Sequence, residues 1–223
     1  MNTLSHSFVK GEDSGSQVHA REAEGTVLPC CYLAPVSHYR AYNRADEVQL
    51  EVCDHFVKQT LRNRCWIDSP NGPLALTVPV VKTEGKALVR DIRISDHGNW
   101  RHQHWMALES SYRQSPFFEY YADDLHALIH QPWQFLYDMN MAITEQMCEW
   151  LDIHPSLHIT SEYKAQPEMP DYREVIRPKH APHDPLFTPQ PYYQVYGAKH
   201  GFLPNLSILD LLCNMGNESI FYL

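Results

Sequence analysis

Two short apolar segments flanking a helix-forming stretch constrain the fold of this chain most. Residues 27–33 and 47–52 are rich in β-branched, aromatic and aliphatic side chains, which favours buried strands. Pro35 can open a helix between them, because the amide hydrogen that proline lacks is unused in a first helical turn. A strand, a helix and a strand in such close succession predict a parallel βαβ unit.

A dense polar segment follows the second predicted strand. It gathers three cations into a chain whose formal net charge is −9. If residues 59–67 are extended, Arg62 and Arg64 share one face, and Asn71–Gly72 turns the chain into a partner strand at 74–80. Two adjacent guanidinium groups suit a carboxylate or phosphate. We predict an anion site, with His55 beside it, made of Lys58, Gln59, Arg62, Asn63 and Arg64.

The prediction of an anion site has a simpler alternative, in which Arg62 and Arg64 form a solvated strand face paired with surface carboxylates. The position of this segment favours a ligand-binding role, because open α/β sheets bind ligands beyond the carboxyl ends of their strands. The loops after the two predicted strands contain Pro35 and His55. We therefore add Pro35 and Tyr39 to the candidate binding residues. Pro35, His38 and Tyr39 also resemble the first helix start of nucleotidyl-transfer domains, an alternative based on fold analogy.

The remaining pattern alternates further strands and helices. Strands are predicted at 88–94, 157–161 and 192–196. Helices are predicted from Trp100 to the residues before Pro116, over 125–130 after an Asp123–Asp124 cap, from Pro132 onward, and over 208–214 after an Asn205 or Ser207 cap. The fold class is α/β, with a Rossmann-like parallel or mixed sheet, flanking helices and a long proline-rich excursion.

Two regions depart from this pattern. Residues 1–25 are too polar to offset the entropy cost of ordering, and we expect a disordered tail before a single domain at 26–223. Residues 165–191 contain seven prolines and are predicted to be a surface loop or a lid over the anion site.

Histidines supply the candidate acid–base groups. His55 and His104 are the proposed proton carriers, and Asp54 could orient His55. The alternative for His104 is a partly buried histidine that bonds a carbonyl. On a helix His102 and His104 point about 200° apart, so no metal site is predicted. The six cysteines lack CxxC spacing and are expected to be reduced and buried, although a Cys30–Cys31 thiolate is a further option.

Composition limits the partners. No apolar run reaches the roughly 18 residues of a membrane span, and the amino terminus has no export signal, so we expect a cytoplasmic protein. The acidic balance disfavours nucleic acid. An anionic small molecule is the expected partner, and a homo-oligomer is compatible with the sequence.

Four segments together resemble the WbqC-like family of bacteria. They are the Lys-Gln-Thr-x-Arg-Asn-Arg-Cys run from Lys58 with Leu-Thr-Val-Pro-Val after it, residues 28–39, residues 100–121, and Lys-His-Gly-Phe-x-Pro-Asn-Leu-Ser from Lys199. The resemblance implies surface-polysaccharide (O-antigen or lipopolysaccharide) biosynthesis. It implies a transferase that moves an acyl or aminoacyl group onto an anionic nucleotide- or lipid-linked amino sugar, with a nucleotide or acyl donor of unknown identity. The alternative is a non-catalytic binding or scaffold protein of that pathway.

Overall fold

The computed structural model describes residues 25–174 and 187–223. Its sheet has three parallel strands in the order β1 (Thr26–Pro29), β2 (Glu47–Glu51), β5 (Ser156–Ile159). Helix α1 (Val36–Arg44) connects β1 to β2, which confirms the predicted parallel unit. Strand β1 is shorter than predicted, because the chain leaves β2 after Pro29 and the amide of Tyr32 bonds the carbonyl of Leu61 instead.

A hairpin of β3 (Arg64–Ser69) and β4 (Gly72–Thr77) stands beside this sheet. The predicted turn at Asn71–Gly72 is confirmed, with a positive φ of 104° at Gly72. The prediction that residues 59–67 are extended is wrong, since β3 begins only at Arg64. Gln59 takes a φ of 61° and the chain turns through residues 58–63. Arg62 and Arg64 therefore do not share a strand face.

Helices supply most of the remaining structure. They are α2 (Trp100–Tyr112), α3 (Phe118–His130), α4 (Leu136–Leu151), α5 (Gly197–His200) and α6 (Ile208–Met215), with 3-10 turns at Val89–Asp91 and Gly216–Tyr222. Helix α6 is confirmed, and its Ser207 cap accepts a hydrogen bond from the amide of Leu209. No helix among the described residues is long and apolar enough to cross a membrane.

Four sequence predictions about these elements are wrong. Residues 88–94 form a 3-10 turn with isolated bridges, because the amides of Val89 and Arg90 bond carbonyls just beyond β2. Helix α3 is continuous, since its buried positions keep helical spacing and the two aspartates lie on its exposed face. Helix α4 begins at Leu136 rather than at Pro132. Residues 192–196 form no strand, because the side chain of Gln194 ties this loop to Leu203.

Long-range contacts hold the polar segment after β2 in place. Asn140, buried on α4, donates a 2.8 Å hydrogen bond from Nδ2 to the carbonyl oxygen of Arg62. Asn63 donates from Nδ2 to the carbonyl of Val78, 2.9 Å away. These bonds satisfy backbone groups that the turn would leave buried without partners. These bonds therefore hold the turn in one conformation, in which it can position side chains. Residues 1–24, within the predicted tail, and 175–186, within the predicted lid, lie outside the described part.

Candidate functional site

A cleft of about 770 Å³ opens beyond the carboxyl end of β2. One wall is the turning segment after that strand, and the other is the segment after β5. Its lining residues are Cys53, Asp54, His55, Val57, Lys58, Gln59, Thr60, Arg62, Tyr163, Ala165, Asp171, Arg173 and Glu174. This is the edge of the sheet where open α/β proteins bind ligands.

Arg62 lies at the base of the first wall, paired with Asp54. The guanidinium bonds the Asp54 carboxylate, and the whole Arg62 residue is 8% exposed. Burial raises the pKa of Asp54, and the Arg62 charge opposes that rise. Within the described residues, Arg62 Nε and Asp54 Oδ1 are buried and have no hydrogen-bond partner. The pair therefore leaves one donor and one acceptor unsatisfied, and both atoms are shielded from solvent.

Arg173 fastens the second wall to the sheet. Its guanidinium lies 3.0 Å from Glu51 at the end of β2 and 2.6 Å from Asp171, and it donates to the carbonyl of Lys164 at 2.9 Å. Glu51 also accepts bonds from the Cys53 amide and the Thr160 hydroxyl. This buried network joins β2, the segment after β5 and the cleft edge into one unit.

The charges of the cleft are balanced rather than purely cationic. Arg62, Arg173 and Lys58 face Asp54, Asp171 and Glu174. Both arginines are already paired with carboxylates, whereas Lys58 is exposed and forms no ion pair within residues 25–174 and 187–223. Lys58 is therefore the cation most available to an anionic group, since Asp54 and Asp171 are the carboxylates that bind the two arginines.

The two candidate histidines occupy different places. His55 is exposed and lines the cleft. His104 is buried in the core and does not line the cleft, with Nδ1 2.9 Å from the hydroxyl of Tyr32 and its ring edge against Trp100. Burial lowers the pKa of His104 to about 4, so the imidazole is neutral at physiological pH. Besides this tyrosine, the backbone of Thr77 bonds the ring and opposes the fall in its pKa, in keeping with the expected carbonyl partner.

Four other candidate residues also lie away from the cleft. Asn63 is buried under β4, and Arg64 donates from Nε to the Thr77 hydroxyl across the hairpin at 2.8 Å. Pro35 bridges to Ser207 at the start of α6, and Tyr39 is fully buried. The structure therefore brings together His55, Lys58, Gln59 and Arg62 from the predicted set.

Tyr39 offers a direct test of its placement in the core. We expect Tyr39→Phe to lower the free energy of unfolding by about 1 kcal/mol, the usual net contribution of one hydrogen bond, because the side chain of Thr144 is the only partner of the buried hydroxyl among the described residues. Urea unfolding measures this. A loss above about 2 kcal/mol would mean that the hydroxyl has a further partner besides Thr144, for which a ligand is one candidate.

Sequence reasoning missed the residues that complete the second wall. The pairing of Arg173 with Glu51 joins positions 122 residues apart, and no local pattern signals it. It also missed a second polar cluster around Asp68, His200 and Asp210. The described residues contain no group of three side chains suited to hold a metal ion.

Two comparisons of this sequence with known proteins found a match. The sequence model of the WbqC-like protein family matches residues 31–177, which include β2, the hairpin and both walls of the cleft. An uncharacterized protein of Mycobacterium tuberculosis, Rv1507c, is 28% identical over 199 residues, covering 75% of this chain and 83% of that protein. No solved structure matches.

Proposed function

The chain belongs to the WbqC-like protein family, and from that premise we propose that it is a transferase of surface-polysaccharide biosynthesis. It moves an acyl or aminoacyl group onto an amino sugar carried by an anionic nucleotide or lipid phosphate. The protein works in the cytoplasm, where such activated sugars are made. One observation supports this proposal above others, namely a cleft of about 770 Å³ at the sheet edge whose lining carries charges of both signs.

The charges suggest how such an acceptor is held. Lys58 attracts the phosphate directly, and the charge of Arg62, whose guanidinium is bonded to Asp54, adds a longer-range attraction. Asp171 and Glu174 lie on the opposite wall, where Asp171 is bonded to Arg173, and their negative charge attracts the ammonium of the amino sugar at longer range. A ligand with an anionic and a cationic end complements both walls at once.

We assign proton transfer at this cleft to His55. A general base must lie within hydrogen-bonding reach of the proton that it removes, and His55 lines the cleft whereas His104 does not. The amine must lose a proton before it can attack an acyl carbon, and the neutral imidazole accepts that proton. Asp54, next to His55 in sequence, is committed to Arg62 and does not orient the ring in this structure.

A second candidate function is a binding or scaffold role in the same pathway. The pairing of both cleft arginines favours it, because ion pairs that are already satisfied can serve as structural ties. His55 and Lys58 would then form an exposed contact surface. The two functions differ in whether a small molecule binds in the cleft.

A thermal-shift screen tests this difference. Candidate ligands are nucleotides, nucleotide sugars, phosphorylated amino sugars, acyl carriers and amino acids. We expect a phosphorylated amino sugar to raise the melting temperature of the native protein, because it binds the folded state alone. The increase should fall by at least about half in Lys58→Ala, which removes one charge contact at little structural cost.

Lys82→Ala is the matched control. Lys82 is also exposed, forms no ion pair in the described structure and does not line the cleft. The transferase proposal requires the stabilisation to persist in Lys82→Ala. Equal losses in both variants would indicate nonspecific charge attraction, and no stabilisation by any compound would favour the scaffold role.

A further inference from the structure

A second polar cluster lies at the far end of β3 from the cleft. Roughly 13 Å of strand separates Arg64 from Asp68, at the rise of a β-strand. Asp68 is 1% exposed and lies 3.0 Å from Nδ1 of His200, the last residue of α5. Neither residue lines the cleft, so this cluster is a separate feature of the molecule.

The hydrogen bond between these residues fixes the state of the imidazole. An ionised carboxylate can only accept, so Nδ1 of His200 carries the proton and Nε2 is left with a free lone pair. Nε2 has no hydrogen-bond partner among the described residues, and the His200 side chain is 13% exposed. A buried carboxylate behind a partly exposed imidazole is the arrangement by which proteins orient a base and stabilise its protonated form.

The surroundings of the pair add a second observation. Asp68 Oδ2 is buried and has no partner within residues 25–174 and 187–223. Nearby, the buried Asp210 accepts hydrogen bonds from the Tyr192 hydroxyl and from Gln194 Nε2, each 2.7 Å long. Burial raises the pKa of Asp210 to about 6, the bonds from Tyr192 and Gln194 oppose that rise, and the Asp68 charge adds to it. A region with two buried carboxylates repels anions and favours neutral or cationic groups.

We propose that His200 is a proton-transfer residue of a second site, positioned by Asp68, that accepts a proton from a hydroxyl or amine of a neutral or cationic ligand. The proton moves from that oxygen or nitrogen to Nε2. The resulting imidazolium keeps its Nδ1 bond to the Asp68 carboxylate and returns the same proton to that oxygen or nitrogen before the ligand leaves, so the proton's bonds are the only ones made and broken. Lys199, the adjacent cation, is occupied by the carbonyl of Pro70.

Carbethoxylation by diethyl pyrocarbonate measures the reactivity of each imidazole. The reaction places positive charge on the ring as it proceeds, and a hydrogen bond to a charged group contributes about 1.5–3 kcal/mol. We expect His200 in the intact protein to react at least about tenfold faster than in Asp68→Asn, as read by mass spectrometry of its peptide. His97, exposed and without a side-chain bond in the described structure, calibrates the reagent in both proteins.

A matched control uses the exposed pair of His154 and Asp152, whose atoms lie 3.3 Å apart in solvent. Asp152→Asn should leave the rate of His154 within about twofold, because water screens that pair. The proposal is overturned if His200 stays unmodified in the native protein or reacts equally in Asp68→Asn. If that variant does not fold, nitrogen NMR of the native protein decides, since an imidazole protonated at Nε2 instead of Nδ1 contradicts it.

Discussion

We expect Arg173→Ala to lower the free energy of unfolding by about 3–5 kcal/mol, the cost of leaving one member of a buried ion pair without its partner. The Arg173 and Glu51 side chains are 4% and 2% exposed. Water therefore cannot solvate the Glu51 carboxylate that the substitution leaves without a partner. Asp171 and the carbonyl of Lys164 lose their donors as well. The second wall of the cleft would then detach from β2, and ligand stabilisation in the cleft would disappear with it.

Urea unfolding measures this loss. Arg113→Ala is the matched control, because Arg113 is 76% exposed and its contact with Glu109 is 3.9 Å long. That variant should change stability by less than about 0.5 kcal/mol. A double variant, Glu51→Gln with Arg173→Met, should recover part of the loss, since it leaves no isolated buried charge. A loss below about 1 kcal/mol in Arg173→Ala would mean that the network carries little stability.

The second large effect is a loss of stability on acidification. Burial lowers the pKa of His38 to about 3 and that of His104 to about 4. Between these values and the ordinary histidine pKa of about 6.5 the unfolded chain binds more protons, so stability falls as the pH falls through that window. From about pH 7 to about pH 5 each histidine contributes a loss of about 2 kcal/mol.

Asp210 acts in the opposite direction. Its folded-state pKa of about 6 lies above the ordinary value for an aspartate, because the carboxyl is buried. The folded protein therefore binds an extra proton on acidification and gains about 1 kcal/mol over the same range. The net loss from the three groups is about 3 kcal/mol. Thermal or urea unfolding at several pH values measures it.

A substitution of His38 separates its contribution to this loss of stability from those of His104 and Asp210. In His38→Phe the difference in unfolding free energy between about pH 7 and about pH 5 should shrink by about 2 kcal/mol, whatever the packing of the new ring does to absolute stability. His97→Gln, which replaces an exposed histidine, should leave that difference unchanged. An unchanged difference in His38→Phe would show that His38 is not buried in neutral form.

The candidate site could be predicted only in part. The segment after β2 was correctly expected at a sheet edge, and four of its residues, His55, Lys58, Gln59 and Arg62, line the cleft. The prediction that Arg62 and Arg64 share a strand face is wrong, because the chain turns at Gln59, which has a positive φ, where a strand was expected. His104 was predicted as a proton carrier, yet its helix turns it toward Tyr32 in the core.

The sequence by itself determined the features that depend on neighbouring residues. These are the strand, helix and strand around α1, the turn at Gly72, the start of α2 and the Ser207 cap of α6. Only the tertiary structure decided which charges meet. Asp54 holds Arg62, Arg173 reaches Glu51 across 122 residues, and Asp68 meets His200 across 132. Periodicity and capping are local, whereas an ion pair depends on how the whole chain folds back on itself.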